Sequence, residues 1–495
     1  MSSHKNQHAV VIGASFAGLM SARVLADHFE TVTVIERDAL PASVKAGRKG
    51  VPQGSHIHVL LQRGQQIITH YFPGLLDEIA RDGQGFTDFG RNLAWFYYGA
   101  WRTRFNSKIP MIQCTRIFLE GHVRKHLRKI PNVQFKTGFA VKELIANDSG
   151  DVRGVRVEPV SANAKTAPGA SKSRARKKSA DDQTLAADFV VDASGRGSQS
   201  MKWLTALGYT APREDTVSIN LAYTTRIFRL KRTPLEHDLS FIGVYPRPPA
   251  GKRAGFLYRV ESGDWLVSLN GYFGDHAPLD DKGFLEFARD LANPAIYDYI
   301  KDAKALTPIT RHKIASNQRR RYDRLARMPG GFVVLGDAVC SFNPIFGQGM
   351  TVSCIGAELL GTMLENLSAN ANGGSAELDG AFCLGFQKRL AARTDLPWTL
   401  TTTEDLKYRE SVGRRWFGLR AFNWYKTQII ELCSNDAGIY ARLAYLLHMQ
   451  KNLLTLMTPG VIVQALVHGV RARFRSLEER TNTKIMPAAP AARSF

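Results

Sequence analysis

Short apolar runs recur along the chain, and their lengths and spacing predict a mixed architecture. His8 to Ile12 is one such run. Residues 19–28 follow as a helix with Leu19, Ala22, Leu25 and Ala26 on one face, and Thr31 to Ile35 is a second run that ends on Glu36. Brief β-branched runs around a helical period read as strand, helix, strand. Helices are predicted over 59–70 and from Arg116 to about Lys129. A strand starts at Pro131–Phe135, paired strands cover 139–146 and 152–158, and another runs from Leu185 to Val191. From about 206 to 325 the pattern changes. Ser218–Phe228, Ser240–Tyr245, Ala254–Val260 and Trp265–Tyr272 read as successive strands without helices between them, which suits a separate antiparallel sheet. Helices follow at 282–292 and 294–303, then a buried strand at Gly331–Leu335 and a long helix over about 349–368. Residues 380–495 are mostly helical; within 436–475, apolar and basic residues mix in an amphipathic pattern interrupted by Pro459-Gly460.

The turn between the first strand and the first helix carries the clearest chemistry. It reads Gly13-Ala14-Ser15-Phe16-Ala17-Gly18. Gly13 permits the sharp turn, Gly18 lets the helix lie close to the sheet, and the helix N-terminus offers N–H groups to a pyrophosphate. Glu36, at the end of the second run, suits ribose hydroxyls; together these form a dinucleotide-binding pattern. Ser15 stands where the pattern has its middle glycine, and a small residue still admits the phosphates. The next loop runs from Arg37 to Arg48-Lys49-Gly50-Val51-Pro52-Gln53-Gly54-Ser55-His56-Ile57-His58 and is rich in donors suited to lie along a cofactor. No nearby Cys, Asp or Glu completes a metal ligand set with the two histidines, so they read as hydrogen-bonding groups. Residues 86–105 hold Trp95, Phe96, Tyr97, Tyr98 and Trp101. Each ring alone reads as core; together they suggest a wall of an apolar pocket.

Composition narrows the classes. A chain of 495 residues with 44% hydrophobic and 22% charged residues is globular and long enough for two or three domains. No apolar run reaches the length of a membrane span, and Met1 to Gln7 has no signal-peptide core. Five scattered cysteines with no Cys-x-x-Cys pair read as reduced core thiols of a cytoplasmic protein. The formal charge of +22 is partly local: Lys165–Lys178, Arg311–Arg327 and Arg471–Arg475 are basic runs. Such runs read first as solvated surface. An anionic membrane surface is the functional alternative, ahead of nucleic acid, because no nucleic-acid-binding motif accompanies the charge.

Two further stretches join the first: Asp192-Ala193-Ser194-Gly195-Arg196-Gly197-Ser198 after a strand, and Gly336-Asp337 leading through Pro344-Ile345-Phe346-Gly347-Gln348-Gly349-Met350 into a helix. With Gly13–Gly18 and Glu36, they resemble the flavoprotein monooxygenases related to para-hydroxybenzoate hydroxylase. The second stretch looks closer to the squalene-epoxidase-like branch and the flavin halogenases. Arg48–Gly54, Gly336–Met350 and Trp398 with Glu404-Asp405 look most like bacterial epoxidases of polyketide polyenes. The resemblance covers roughly residues 5–410. It implies an α/β fold: a Rossmann-type FAD-binding domain, an inserted antiparallel-sheet substrate domain and a C-terminal helical region.

The FAD-binding parts would be 1–75, 111–205 and 329–370, the second with a disordered basic insert at 160–183. The substrate parts would be 76–110 and 206–328, and the helical region 371–495. The resemblance implies that FAD is held by Gly13, Ser15, Phe16, Ala17, Gly18, Glu36, Arg37, Arg48 and Arg116, by Asp192 and Gly195, and by Asp337, Pro344, Gly347, Gln348, Gly349 and Met350. Asp337 would hold a ribityl hydroxyl, Arg116 the phosphates, and the helix after Met350 the charge of the reduced ring. The implied reaction passes one oxygen atom of O2, through a flavin C4a-hydroperoxide, to an apolar substrate by alkene epoxidation or hydroxylation. It requires no protein nucleophile, and no catalytic side chain or metal ligand is assigned. There is no second dinucleotide motif, so NADH or NADPH binds transiently beside the FAD or a separate flavin reductase supplies electrons. A prenyl double-bond reductase shares these motifs. The halogenase reading is weakened because no Trp-x-Trp-x-x-Pro segment occurs. A flavin-fold membrane- or nucleic-acid-binding module is the non-enzyme alternative.

Overall fold

The computed structural model describes residues 6–48, 50–160, 183–370, 377–474, 486–488 and 490. A five-stranded parallel sheet forms the centre of the part that carries the three motifs. Its order is Phe332–Val334, Phe189–Asp192, Asn6–Ile12, Phe29–Glu36 and Val133–Thr137. The strands are short and β-branched because both faces are covered: Val10, Val11, Val34, Val190 and Val333 have no exposed surface. Helix Phe16–Leu25 packs against the long helix Gly349–Asn370, so the first and last motifs lie side by side. A three-stranded antiparallel sheet joins Phe139–Ala146, Val152–Pro159 and Gln183–Ala186. The single strand expected at Leu185–Val191 is thus two strands in two sheets, separated at Ala187-Asp188. The basic insert expected at 160–183 lies, from 161 to 182, outside the described residues.

The second layer is a nine-stranded sheet. It contains the four strands expected in 206–325, with the first extended to Glu214–Arg229. Two differences from expectation matter. Strand Leu93–Tyr97 joins this sheet parallel to Phe241–Val244, so the sheet is mixed rather than wholly antiparallel. Thr310–Arg320 is a strand along Glu214–Arg229, so the basic run Arg311–Arg327 is solvated only in part: Lys313, Arg324 and Arg327 are exposed. Arg319 and Arg320 are buried because partners distant in sequence meet them. Arg319 pairs with Asp395 at 2.7 Å, and Arg320 with Glu214 at 2.9 Å.

The C-terminal part consists of helices Gly380–Asp405, Leu419–Leu432, Ala437–Leu447 and Pro459–Phe474. Pro459 begins the last helix instead of interrupting one, since a missing N–H costs nothing in a first turn. That helix exposes Val463, Leu466, Val467 and Val470. Among the described residues, no helix is long and apolar enough to cross a membrane.

Candidate functional site

The three motifs converge at the carboxyl ends of the parallel strands. Gly13 has φ +99°, and a Cβ there would sit 2.8 Å from the Ala193 carbonyl oxygen of the second motif. A Cβ on Gly18 would lie 1.8 Å from the Gly13 carbonyl oxygen, so only glycine allows the helix this close to the turn. Ser15 is the N-cap of the helix, yet its side chain caps no N–H. Its Oγ instead accepts from Arg116 Nη2 at 2.7 Å and donates to Glu120 Oε2 at 3.3 Å. The first turn keeps its donors for a ligand. Phe16 is buried in the core, which leaves only its backbone to serve the site; Ala17 packs where a Cβ on Gly336 would be 2.7 Å away.

Glu36 is 6% exposed and held by the protein itself. Oε2 accepts from the Ala14 N–H at 2.8 Å and faces Arg48 Nη1 at 2.8 Å, while Oε1 accepts from the Asp38 N–H at 3.1 Å. Oε1 therefore retains acceptor capacity, and Oε2 is shared with the arginine. Arg48 also meets Glu120 at 3.3 Å and Asp38 at 3.4 Å. Burial pulls its pKa down, but these three carboxylates outweigh burial and raise it. Arg37 is exposed, outside this cluster.

The histidines of the donor-rich loop bond to the large sheet and to Arg116. His56 Nδ1 lies 2.6 Å from Thr225 Oγ1, and His58 Nε2 is 3.3 Å from Arg116 Nη1. Burial and the adjacent His312 push His56 down to about 4; burial and Arg116 push His58 down to about 3. Both are neutral near pH 7.

Asp192 is fully buried and turned into its own loop. It accepts from the Ser194 N–H at 2.9 Å and from the hydroxyls of Ser194 and Ser198 at 2.5 Å. It shapes the loop that presents Gly195, which has φ +82° and open space where a side chain would start. Asp337 differs: its carboxylate makes no hydrogen bond among the described residues. Burial raises its pKa, with Arg116 and Arg196 pulling the other way. Arg116, and Arg196 of the second motif, thus both act on the Asp337 carboxylate of the third.

Asn343 to Gly349 forms the last wall. Pro344–Phe346 is a single tight turn, and Gly347 at φ +66° reverses the chain into the helix that starts at Gly349. A Cβ on Gly349 would meet only Asp337 Oδ1, 3.9 Å away. Gln348 and Met350 are buried; Gln348 Oε1 accepts from Thr401 Oγ1 at 3.0 Å. Behind the loop lies Asp405. Its oxygens accept from Asn317 Nδ2 at 2.8 Å, Asn343 Nδ2 at 2.9 Å and the Tyr272 hydroxyl at 3.3 Å.

The other side of this loop opens into an apolar cavity. Ile345 to Gln348 form one wall and the nine-stranded sheet another. Helices Leu419–Leu432 and Ala437–Leu447 close it. Trp95 and Tyr97 line it, whereas Phe96 and Trp101 pack into a separate core, as strand alternation requires. The contribution of the C-terminal helices was not expected from sequence, nor was Lys426, which lines the cavity beside Glu404. Among the described residues, the metal-like group is Glu78, Asp82 and His122. Lys125 and His126 already pair with Glu78 at 2.8 and 2.7 Å.

The fold defined by these elements is a Rossmann-type flavoprotein fold. The chain is similar in structure to a flavoprotein/dehydrogenase from Cytophaga hutchinsonii, with a TM-score of 0.62 and 14% identity, covering 96% of this chain and 100% of that one. Flavin-dependent brominase Bmp2 gives 0.61 and 14%, covering 94% and 100%. The p-nitrophenol 4-monooxygenase PnpA from Pseudomonas putida DLL-E4 gives 0.55 and 16%, covering 94% and 99%. No protein-family model matches the chain. In sequence, the chain belongs to the family of Protein Rv3254 of Mycobacterium tuberculosis (strain ATCC 25618 / H37Rv): it is 31% identical over 488 residues, 96% of each protein.

Burial raises Asp405 to about 7, above the unfolded carboxyl value of 3.8. The folded state therefore holds a proton that the unfolded state releases, and stability falls as pH rises from about 4 to about 7. Asp405→Asn removes this dependence. The stability of wild type relative to the variant should decline across that window by an amount on the order of a few kcal/mol. Urea unfolding of both proteins at pH 5 and pH 7 measures it; a difference that does not change with pH contradicts the assignment.

Proposed function

We propose that the protein is a FAD-dependent monooxygenase that adds one oxygen atom from O2 to an apolar substrate held in the cavity. The observation that carries this reading is one shared wall. The loop from Ile345 to Gln348 lines the cavity, and the same loop leads into Gly349 beside the unengaged carboxylate of Asp337. The residues present fit FAD. The first turn of helix Phe16–Leu25 would take the pyrophosphate, Arg116 its charge, Glu36 Oε1 a ribose hydroxyl and Asp337 a ribityl hydroxyl. Gly195 and Gly349 leave room where side chains would intrude. Reduced FAD would supply the activation of O2. The protein's part is to orient the substrate and exclude water, which the ring of apolar side chains achieves. Within this reading the finer assignment is alkene epoxidation or hydroxylation. Electrons come from NADH or NADPH, directly or through a flavin reductase.

Peripheral contact with an anionic bilayer belongs to the same proposal. Val463, Leu466, Val467 and Val470 share an exposed helix face, and exposed Leu454 and Met457 flank Leu453 and Leu456 of the cavity lining. Co-sedimentation with phosphatidylglycerol vesicles should weaken in Val463→Glu/Val467→Glu. Equal binding by wild type and variant removes this contact from the reading.

Purified protein should be yellow with one FAD per chain. Asp337→Ala should weaken FAD binding roughly tenfold, by the loss of one buried hydrogen bond. Gly349→Val should reduce flavin occupancy or product yield while the flavin-free protein still folds, since a Cβ at this position meets only Asp337 Oδ1, 3.9 Å away. With reduced protein, isotopically labelled O2 and a panel of polyenes and aromatics, label should enter a product. A colourless protein, or full flavin occupancy and product yield in Gly349→Val, contradicts the proposal.

A further inference from the structure

The cavity wall carries a charge imbalance that the proposed reaction leaves unused. Glu404 and Lys426 are the charged residues among its lining. His448 lines it too, but burial pushes this ring down to about 3, so it is neutral. Both oxygens of Glu404 are engaged. Its Oε1 accepts from the hydroxyl of Tyr97 at 2.7 Å and from that of Tyr98, and its Oε2 lies between Lys426 Nζ at 2.8 Å and Lys407 Nζ at 3.1 Å. Two ammonium groups therefore share one carboxylate. Lys407 turns its remaining donors to Thr427 Oγ1 at 2.9 Å and to the Tyr98 hydroxyl. Lys426 donates to Thr403 Oγ1 at 2.8 Å, and its third donor has only the Leu400 carbonyl oxygen at 3.4 Å. Asp405, the next carboxylate along the helix, is spent on Asn317, Asn343 and Tyr272.

One positive charge thus remains uncompensated beside an apolar space, on a side chain only 12% exposed. A buried charge without a partner is costly, and a ligand that supplies the partner recovers that cost. A neutral hydroxyl or a cationic head would not. We propose that Lys426, held in place by Glu404, binds an anionic oxygen, a carboxylate or a phenolate, at the one charged point of an otherwise apolar substrate. This inference rests on the cavity being the substrate site of the proposed oxygenase.

The titration of Lys426 agrees with the geometry. Burial lowers it to about 8, with Glu404 raising it, Lys407 lowering it and Asp405 raising it; Tyr97 and Tyr98 bond to the same Glu404, and Tyr425, Tyr440 and the neutral His448 also line the cavity. The ammonium form binds the anion. Affinity for a carboxylate should therefore hold below that value and fall as pH rises through it.

The test measures equilibrium binding to the oxidised protein as purified, with no reductant, through quenching of tryptophan fluorescence. Trp95 in the cavity wall is the reporter. Wild type should bind decanoate roughly tenfold or more tighter than decanol. Lys426→Met should abolish that preference without weakening decanol binding, and Lys426→Arg should keep it. If bound para-hexylphenol shows phenolate absorption well below its solution pKa, the anionic oxygen can be a phenol's; a preference for decanoate alone assigns a carboxylate. Equal binding of decanoate and decanol by wild type, with no phenolate signal, overturns the inference, and this comparison needs no variant to fold. So does a decanoate preference that survives in Lys426→Met. An anion preference in a protein that yields no oxygenated product would uphold the site and remove the reaction. Labelled product without an anion preference would do the reverse.

Discussion

The carboxylate of Asp405 joins three parts of the molecule that are far apart in sequence. It receives hydrogen bonds from Asn317 on the large sheet, from Tyr272 at the end of another strand, and from Asn343 at the head of the loop that leads to Gly349. The helix that carries it ends at that residue, and one turn earlier Thr401 donates to Gln348 in the same loop. The loop thus has a fixed position relative to both the sheet and the C-terminal helices. Every property of the site depends on that position. The loop is the wall between the bed formed by the three motifs and the apolar cavity, so a displacement would separate the two.

The neighbouring Glu404 faces the other way. Consecutive carboxylates on one helix therefore serve opposite sides of the wall: Asp405 fixes the loop, and Glu404 pairs with two lysines, of which Lys426 lines the cavity. Burial raises both, and their partners drive them apart. Asp405 accepts only neutral donors and rises to about 7, whereas Lys426 and Lys407 hold Glu404 far below the carboxylate range against the cost of its own burial.

Much of the parallel-sheet part was legible in the sequence because many of its constraints are local. Gly18 answers to the Gly13 carbonyl five residues away, Gly13 and Gly347 to the positive φ of their own turns, and the first strands show their burial in their composition. Glu36 was visible for the same reason, though not its pairing with Arg48. What escaped depends on partners from elsewhere in the chain. Arg319 and Arg320 looked like surface until Asp395 and Glu214 met them. The parallel pairing of Leu93–Tyr97 with Phe241–Val244 joins segments almost 150 positions apart. Lys426 sits on an amphipathic helix where a lysine reads as solvent-facing. Only the docking of that helix over the cavity buries it.

The central claim is that the flavin bed and the apolar cavity share one wall, and it can be tested without turnover. Flavin-loaded protein is titrated with hexylbenzene, following the visible absorbance of the flavin while calorimetry follows binding. A cavity bounded by Ile345–Gln348 predicts a saturable change in the flavin spectrum whose midpoint matches the calorimetric one. Calorimetric binding that leaves the flavin spectrum unchanged would show that the ligand sits away from the flavin, and would contradict the account.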